Sequence, residues 1–326
     1  MPMFSQPQAG IPTNADLRNK RFHTAGVTVT HSLRLLGYLL LPGLLLTFSA
    51  CTSFSHPATP TPTQPTATPA PPTATPEPMA LTVNGEGITV REFTAQVAQY
   101  KVAQTSLGKT VSDQDATKVV LDDLVAQVLL AQAAQAAGFV ASDSTLKARL
   151  DSLQSKVGSL DKLVKWEQDN GYPTPDDFQA ALKRSVEAAW MRDKIVSAVP
   201  KTAEQVHVQQ ILLYNEGDAN AVLGQLKTGA DFNTLAKQYD PNTRGDLGWF
   251  PRGYLLEPKI EEAAFSLLVG EFSGVIQTDA GYSILQVLGH DPNHPLSPDA
   301  YLALQQLALQ DWIAKARTAA RIVLAP

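Results

Sequence analysis

The sequence predicts an α+β fold, mainly helical in its first folded half and built on a small sheet in its second. Three observations predict it. Residues 116–137 carry Val120, Leu124, Val128 and Ala131 at helical spacing, with Leu121, Val125 and Leu129 widening the same face. At Gln205 the pattern changes to alternation, Val206-His207-Val208, ending in the branched apolar run Ile211-Leu212-Leu213, which reads as a strand. From there to Val287 the segments follow as helix, helix, strand, helix, strand, strand, a compact α+β order.

Composition bounds the function. The chain has 326 residues, a length for about two domains, and 44% of them are hydrophobic, enough for a real core. A net charge of −5 argues against nucleic acid as a partner, because binding it requires a basic surface that displaces counterions. Cys51 is the only cysteine, which excludes internal disulfides and a Cys-rich zinc site. No GxGxxG or GxxxxGK[ST] motif supports dinucleotide or phosphate-loop chemistry.

In order along the chain, residues 1–50 read as an export segment. Arg18, Lys20, Arg21 and Arg34 precede the uncharged run Leu35–Ala50, which is short for a spanning helix. Small residues then lead into Cys51, and Phe48-Ser49-Ala50-Cys51 resembles a bacterial lipobox, in which the cysteine is lipidated after cleavage. An uncleaved anchor helix and a buried helix with a chance cysteine are the other readings. The first two place the remainder outside the cytoplasmic membrane, held to it. Residues 51–80 form a linker: the stretch 57–78 is almost wholly proline, threonine and alanine, too poor in apolar surface to fold and kept extended by proline.

Residues 81–200 are expected to be mostly helical. Leu81-Thr82-Val83 reads as a strand, Asn84-Gly85 as a tight turn, and Thr89 to Glu92 as a capping box opening a helix at Val90. Gly138 ends the long helix of 116–137. Leu146–Lys165 and Asp177–Val199 give two more helices, separated by Gly171-Tyr172-Pro173-Thr174-Pro175, and Pro200 marks a boundary.

Within 203–291, a helix over Ala219–Lys227 ends at Gly229, and Asp231 caps a short one running through Lys237. Gly245–Phe250 turns into a strand, Glu261–Leu267 is helical, and Val275–Thr278 and Tyr282–Val287 are strands around Asp279-Ala280-Gly281. Residues 297–326 return to helix, with Leu302, Leu304, Leu307, Leu309, Trp312 and Ile313 as its apolar side and Arg321–Leu324 as a last short strand.

VHVQQILL (206–213), GDLGWFPRGYL (245–255), EEAAFSLLVGEFS (261–273) and TDAGYSILQV (278–287) together resemble the parvulin-type peptidyl-prolyl isomerase domain. The flanks, with VNGEGITVREF (83–93), Ala-rich helices and a closing helix with Trp312, look like extracytoplasmic foldases of the PrsA and SurA type. The resemblance implies a helical N-terminal chaperone domain completed by the C-terminal helix, with the parvulin domain inserted between them. It implies cis/trans isomerisation of X-Pro bonds, a step slow enough to limit folding, without cofactor or metal. Its clients would be unfolded or proline-containing exported polypeptides.

Carried over residue by residue, the proline pocket looks like Leu247, Leu255 and Ile260, with Phe250 as a further substrate-binding position. The two family histidines correspond to Gln210 and Ser283, the family hydroxyl to Thr278, and the acid before the glycine turn to Asp240, making these four the catalytic positions. Arg244 stands where the first of two glycines is common, and the family's basic phosphate-reading loop has no counterpart.

The competing class is a holdase that binds unfolded exported chains without catalysis. Trp166, Tyr172, Phe178 and Trp190 either line a cradle for such chains or serve as helix packing. His290 and His294 are four apart, but Asp291-Pro292-Asn293 between them reads as a loop and no third ligand accompanies them. Glu261-Glu262 and Asp122-Asp123 read as solvated helix charge. No serine has a nucleophile-elbow context, so hydrolysis has no support.

Overall fold

A computed structural model describes residues 77–325. The export segment, Cys51 and the linker as far as residue 76 lie outside the described residues. The described chain divides into two units: one of residues 77–122, Ser142–Ala181 and 321–325, the other of Asp123–Ala141 and Leu182–Ala320.

The first unit begins with strands β1 (Met79–Val83) and β2 (Glu86–Thr89), paired antiparallel. The turn forms because Asn84 and Gly85 both take positive φ, 53° and 94°, which these two residue types tolerate. Strand β7 (Ile322–Leu324) adds to the other edge of β1, giving the order β2-β1-β7. Asn84 fastens it twice, donating its N–H to the Arg321 carbonyl at 2.8 Å and accepting the Arg321 N–H on Oδ1 at 2.9 Å. Leu81, Val83 and Ile88 are fully buried. Thr89 caps helix α1 (Val90–Ser106) by accepting the Glu92 N–H at 3.1 Å, as the capping-box reading expects.

The next helix is α2 (Asp113–Ala136), of which residues 113–122 belong to this unit. The single helix expected over Leu146–Lys165 is instead two, α3 (Asp143–Val157) and α4 (Leu160–Asp169). Gly158 enters the left-handed region, φ 102°, and Ser159 then accepts the Lys162 N–H, so one residue stops a helix and the next starts another. Leu153 and Leu163 from these helices bury against Tyr172, Phe178 and Ala181, with Trp166 edge-on to Phe178 at 5.6 Å. Those aromatic residues serve as helix packing. Helix α5 (Pro175–Ser197) starts here and, from Leu182, belongs to the second unit.

In the second unit, helix α9 (Pro298–Ala319) sets Leu309 and Trp312 against Leu130, Ala131, Ala188, Met191 and Ile195 of α2 and α5. Phe139 stacks on Trp190 at 4.7 Å, so Trp190 is also committed to packing. Glu187 is 1% exposed, and its carboxyl accepts hydrogen bonds from Gln135 Nε2 at 2.7 Å and the Ala141 N–H at 3.1 Å.

The same unit holds the sheet. Its strands are β3 (Thr202–Leu213), β4 (Asp246–Pro251), β5 (Ile276–Thr278) and β6 (Gly281–Pro295), all antiparallel, in the order β4-β3-β6-β5. Helices α6 (Glu216–Lys227) and α7 (Phe232–Tyr239) cover one face through Ile211, Leu213 and Ile284. Helix α8 (Pro258–Ser266) covers the other, where Ile260 and Ala264 pack on Val206, Val208, Phe250, Leu285 and Val287. Strand β6 runs eight residues past the expected Val287, through the Asp291-Pro292-Asn293 stretch read as a loop. A register shift opposite Ala203–Gln205 sets Pro292 where no ladder hydrogen bond is required of it.

The turn entering β4 is held by Gly245. Its φ is 69°, its carbonyl accepts the Gln210 N–H at 2.8 Å, and a Cβ there would overlap the Gln210 carbonyl. Gly245→Ala should therefore lower the stability of residues 77–325 by about 2 kcal/mol or more, because both strain and overlap must be relieved. A thermal or urea melt checks it, with Gly224→Ala, whose Cβ meets open space, as the control.

Candidate active site

The face of the sheet under α8 brings two of the four expected catalytic positions together, Gln210 and Ser283. On β3 and β6, Gln210 lies opposite Leu285 and Leu212 opposite Ser283. Gln210 and Ser283 are thus diagonal neighbours on one face, because side chains alternate with a period of two. Gln210 Nε2 donates to Ser283 Oγ at 2.7 Å. Ser283 has no exposed surface, whereas Gln210 is half-buried and opens toward solvent. The Gln210 amide offers a second N–H and a carbonyl oxygen, so it can still present a donor or an acceptor. Neither side chain titrates near neutral pH, so the pair can orient a dipole but cannot shuttle a proton.

The four expected pocket residues divide into two kinds. Leu247 and Leu255 are half-buried at the rim of the apolar cluster formed by Val206, Val208, Phe250, Ile260, Ala264, Leu285 and Val287. Phe250 is 0% exposed and Ile260 only 5%, so these two lie within the cluster beneath the rim. Phe250 is buried because it alternates with the half-exposed Trp249 on β4 and faces the α8 side.

Thr278 is not joined to the Gln210–Ser283 pair. Its hydroxyl donates to the Gly281 carbonyl at 3.1 Å and accepts the Ala280 N–H at 3.2 Å, which closes the β5–β6 turn. Asp240 likewise works on a turn. Its carboxylate accepts the Thr243 hydroxyl, the N–H groups of Asn242 and Thr243, both at 3.1 Å, and that of Gly245 at 3.4 Å. Partial burial pushes its pKa up, but the bonds from Thr243, Gly245 and Asn242 outweigh this and hold the carboxyl below the usual range. Asp240 therefore reaches the site through Gly245 and the β3 backbone.

Polar contacts on the rest of the sheet were not legible in the sequence. His207 Nε2 meets Asp246 Oδ1 at 2.8 Å, and Trp249 stacks between His207 at 5.5 Å and His294 at 4.2 Å. Gly289 makes room, since a Cβ there would stand 2.9 Å from the indole. His290 meets Glu204 at 2.8 Å and His294 meets Asp291 at 3.2 Å, so the two histidines have separate carboxylate partners. Among the described residues, no group of three or more His, Cys, Asp or Glu side chains is placed to hold a metal ion. The sequence showed His207 within a strand and His290 and His294 four apart, but not their partners; Asp246 lies 39 positions from His207.

Both folded parts of the chain match known families. Residues 196–289 match the PPIC-type peptidyl-prolyl isomerase domain family, and residues 73–171 match the SurA-like N-terminal domain family. The chain is 31% identical over 225 residues to the foldase protein PrsA of Caldanaerobacter subterraneus, covering 64% of this chain and 72% of the relative. It is 30% identical over 190 residues to the foldase protein PrsA of a Geobacillus species, covering 55% and 66%. Among solved structures it is similar to peptidylprolyl isomerase PrsA of Bacillus cereus, at 22% identity and a TM-score of 0.40, covering 73% of this chain and 89% of that one.

The Asp240 contacts predict a pH dependence. A carboxyl whose folded pKa is depressed stabilises the fold above its unfolded pKa, and that stabilisation fades as pH falls through the folded value. The Tm difference between wild type and Asp240→Asn should therefore be largest above about pH 4 and shrink below it. Melting curves across that range check this.

Proposed function

This chain belongs to the PrsA foldase family, and on that premise we propose that the α8 face of its sheet turns the peptide bond before proline in exported polypeptides. The observation that carries this reading is the Gln210–Ser283 hydrogen bond on the same sheet face as the half-buried Leu247 and Leu255. Rotation about a peptide bond faces a barrier of about 18–20 kcal/mol, because the planar amide is stabilised by resonance. The twisted amide has lost that resonance and is the less dipolar form. An apolar pocket gripping the proline ring therefore disfavours it less than water does, and binding it better than the planar form accelerates rotation.

In this mechanism Leu247 and Leu255 hold the ring, and Ile260 and Phe250 support them from below. Gln210 orients the carbonyl that precedes proline, with its own amide held in place by Ser283. No proton has to move, so the absence of imidazole at both positions leaves the reaction itself possible. A second reading is a holdase in which the same apolar rim binds client chains without turnover. The observation favouring it is that Gln210 and Ser283 replace two titratable side chains.

The signal and lipobox-like sequence ahead of Cys51 support anchoring of the protein by a lipid on that cysteine, outside the cytoplasmic membrane. The proline-rich linker would then let the folded part stand off the membrane surface.

A protease-coupled isomerase assay on residues 77–325 should give a rate above background that a Leu247→Ala, Leu255→Ala double variant loses at least tenfold. No wild-type rate, together with suppressed aggregation of an unfolded client, would favour the holdase instead. For the anchor, Cys51→Ser in the full chain should move the protein from the membrane fraction to the soluble one in a bacterium that lipidates exported proteins. Retention in the membrane would point to the uncleaved helix.

A further inference from the structure

Glu261 reads in the sequence as solvated charge beside Glu262, but it is engaged in the fold. It lies in the first turn of α8 and reaches back over the helix start. Its Oε1 accepts the Gly253 N–H at 2.7 Å and its Oε2 accepts the Leu255 N–H at 3.2 Å. Both N–H groups belong to the loop between β4 and α8, and that loop carries Leu255. A carboxylate is suited to this place, because hydrogen bonds to a charged acceptor are about twice as strong as neutral ones. The helix N-terminus also favours its charge.

The loop is also held before Leu255, by the Tyr254 N–H on the Pro251 carbonyl at 3.3 Å and by Arg252, which meets Glu204 at 3.3 Å and lies over Phe265, whereas the Leu255 N–H itself goes to Glu261. Gly253 takes φ 76°, and a Cβ there would stand 2.6 Å from Leu307 Cδ2, so no side chain can stiffen that position. Glu257, at the start of α8, makes no side-chain cap.

We propose that Glu261 is the positioning residue of the proline pocket. By holding the N–H groups of residues 253 and 255, it sets Leu255 against the apolar cluster and so determines how firmly the proline ring is gripped. It does not touch the substrate. This inference rests on the reading of the α8 face as a prolyl site.

The test compares wild type, E261A, E261Q, L255A and the double variant E261A/L255A, using a proline-containing tetrapeptide in the isomerase assay and thermal melting alongside. E261A should raise KM about tenfold while kcat stays within about twofold, as loss of charge-assisted bonds acting on binding requires. E261Q keeps one acceptor oxygen and should fall between E261A and wild type, and it carries the test if E261A does not fold. On the L255A background, E261A should add almost nothing, because the two act through one contact. If wild type binds the tetrapeptide without turning it over, the same series is read as Kd. An unchanged KM in E261A, or additive effects of the two substitutions, overturns the inference while leaving the prolyl site standing. Wild type that neither turns over nor binds the peptide overturns both.

Discussion

Strands β3 and β6 pair along most of their length, joining residues such as Gln210 and Ser283 that lie 73 positions apart. Most of the second unit depends on that pairing. Once the register is set, alternation sends Ile211, Leu213 and Ile284 to the α6–α7 face. Val206, Val208, Leu285 and Val287 go to the α8 face, together with Gln210 and Ser283. A slip of one residue would exchange the two sets, put Gln209 where Gln210 stands and dismantle the polar pair.

The polar pair is stable because it is closed on its buried side. An unpartnered hydroxyl at the fully buried Ser283 would cost about 1–3 kcal/mol, and the Gln210 amide removes that cost. The pair is connected outward through backbone rather than through further side chains. Asp240 folds the turn that ends at Gly245, and the Gly245 carbonyl takes the Gln210 N–H. On the other edge, Glu261 holds the loop that brings Leu255 to the rim. This face is therefore shaped by two carboxylates that act through backbone N–H groups, Asp240 through the Gly245 turn and Glu261 through the loop of Gly253 and Leu255.

The helical parts follow a different logic. Their ends are decided locally, by single residues. Thr89, Ser142, Ser159, Asn215, Asp231 and Ser297 each accept an N–H from the first turn of the helix they precede. The caps at Thr89 and Asp231 were read from sequence in this way, whereas the helices after Ser142 and Asn215 begin three residues before the expected Leu146 and Ala219. The miss at Gly158-Ser159 has the same origin: both signals were present, but the apolar spacing on either side continues across the break and hides it. The aromatic residues weighed as a cradle are consumed in packing, Trp166 and Tyr172 on Phe178 and Trp190 on Phe139.

By itself the sequence determined the α+β class, the order of elements and most of their boundaries, because periodicity, caps and turn residues are local and leave local marks. It also carried the family motifs, and through them the positions of Gln210, Ser283, Leu247 and Leu255. Only the tertiary structure decided which of these meet. It separated Thr278 from the polar pair and sank Phe250 into the core. It carried β6 on to Pro295 by pairing it with β3, and it turned Glu261 from a surface charge into a clamp on Gly253 and Leu255. Each of those outcomes turns on a pairing register or on a side chain reaching backbone several residues away. Such contacts depend on three-dimensional proximity, and no spacing along the chain encodes them.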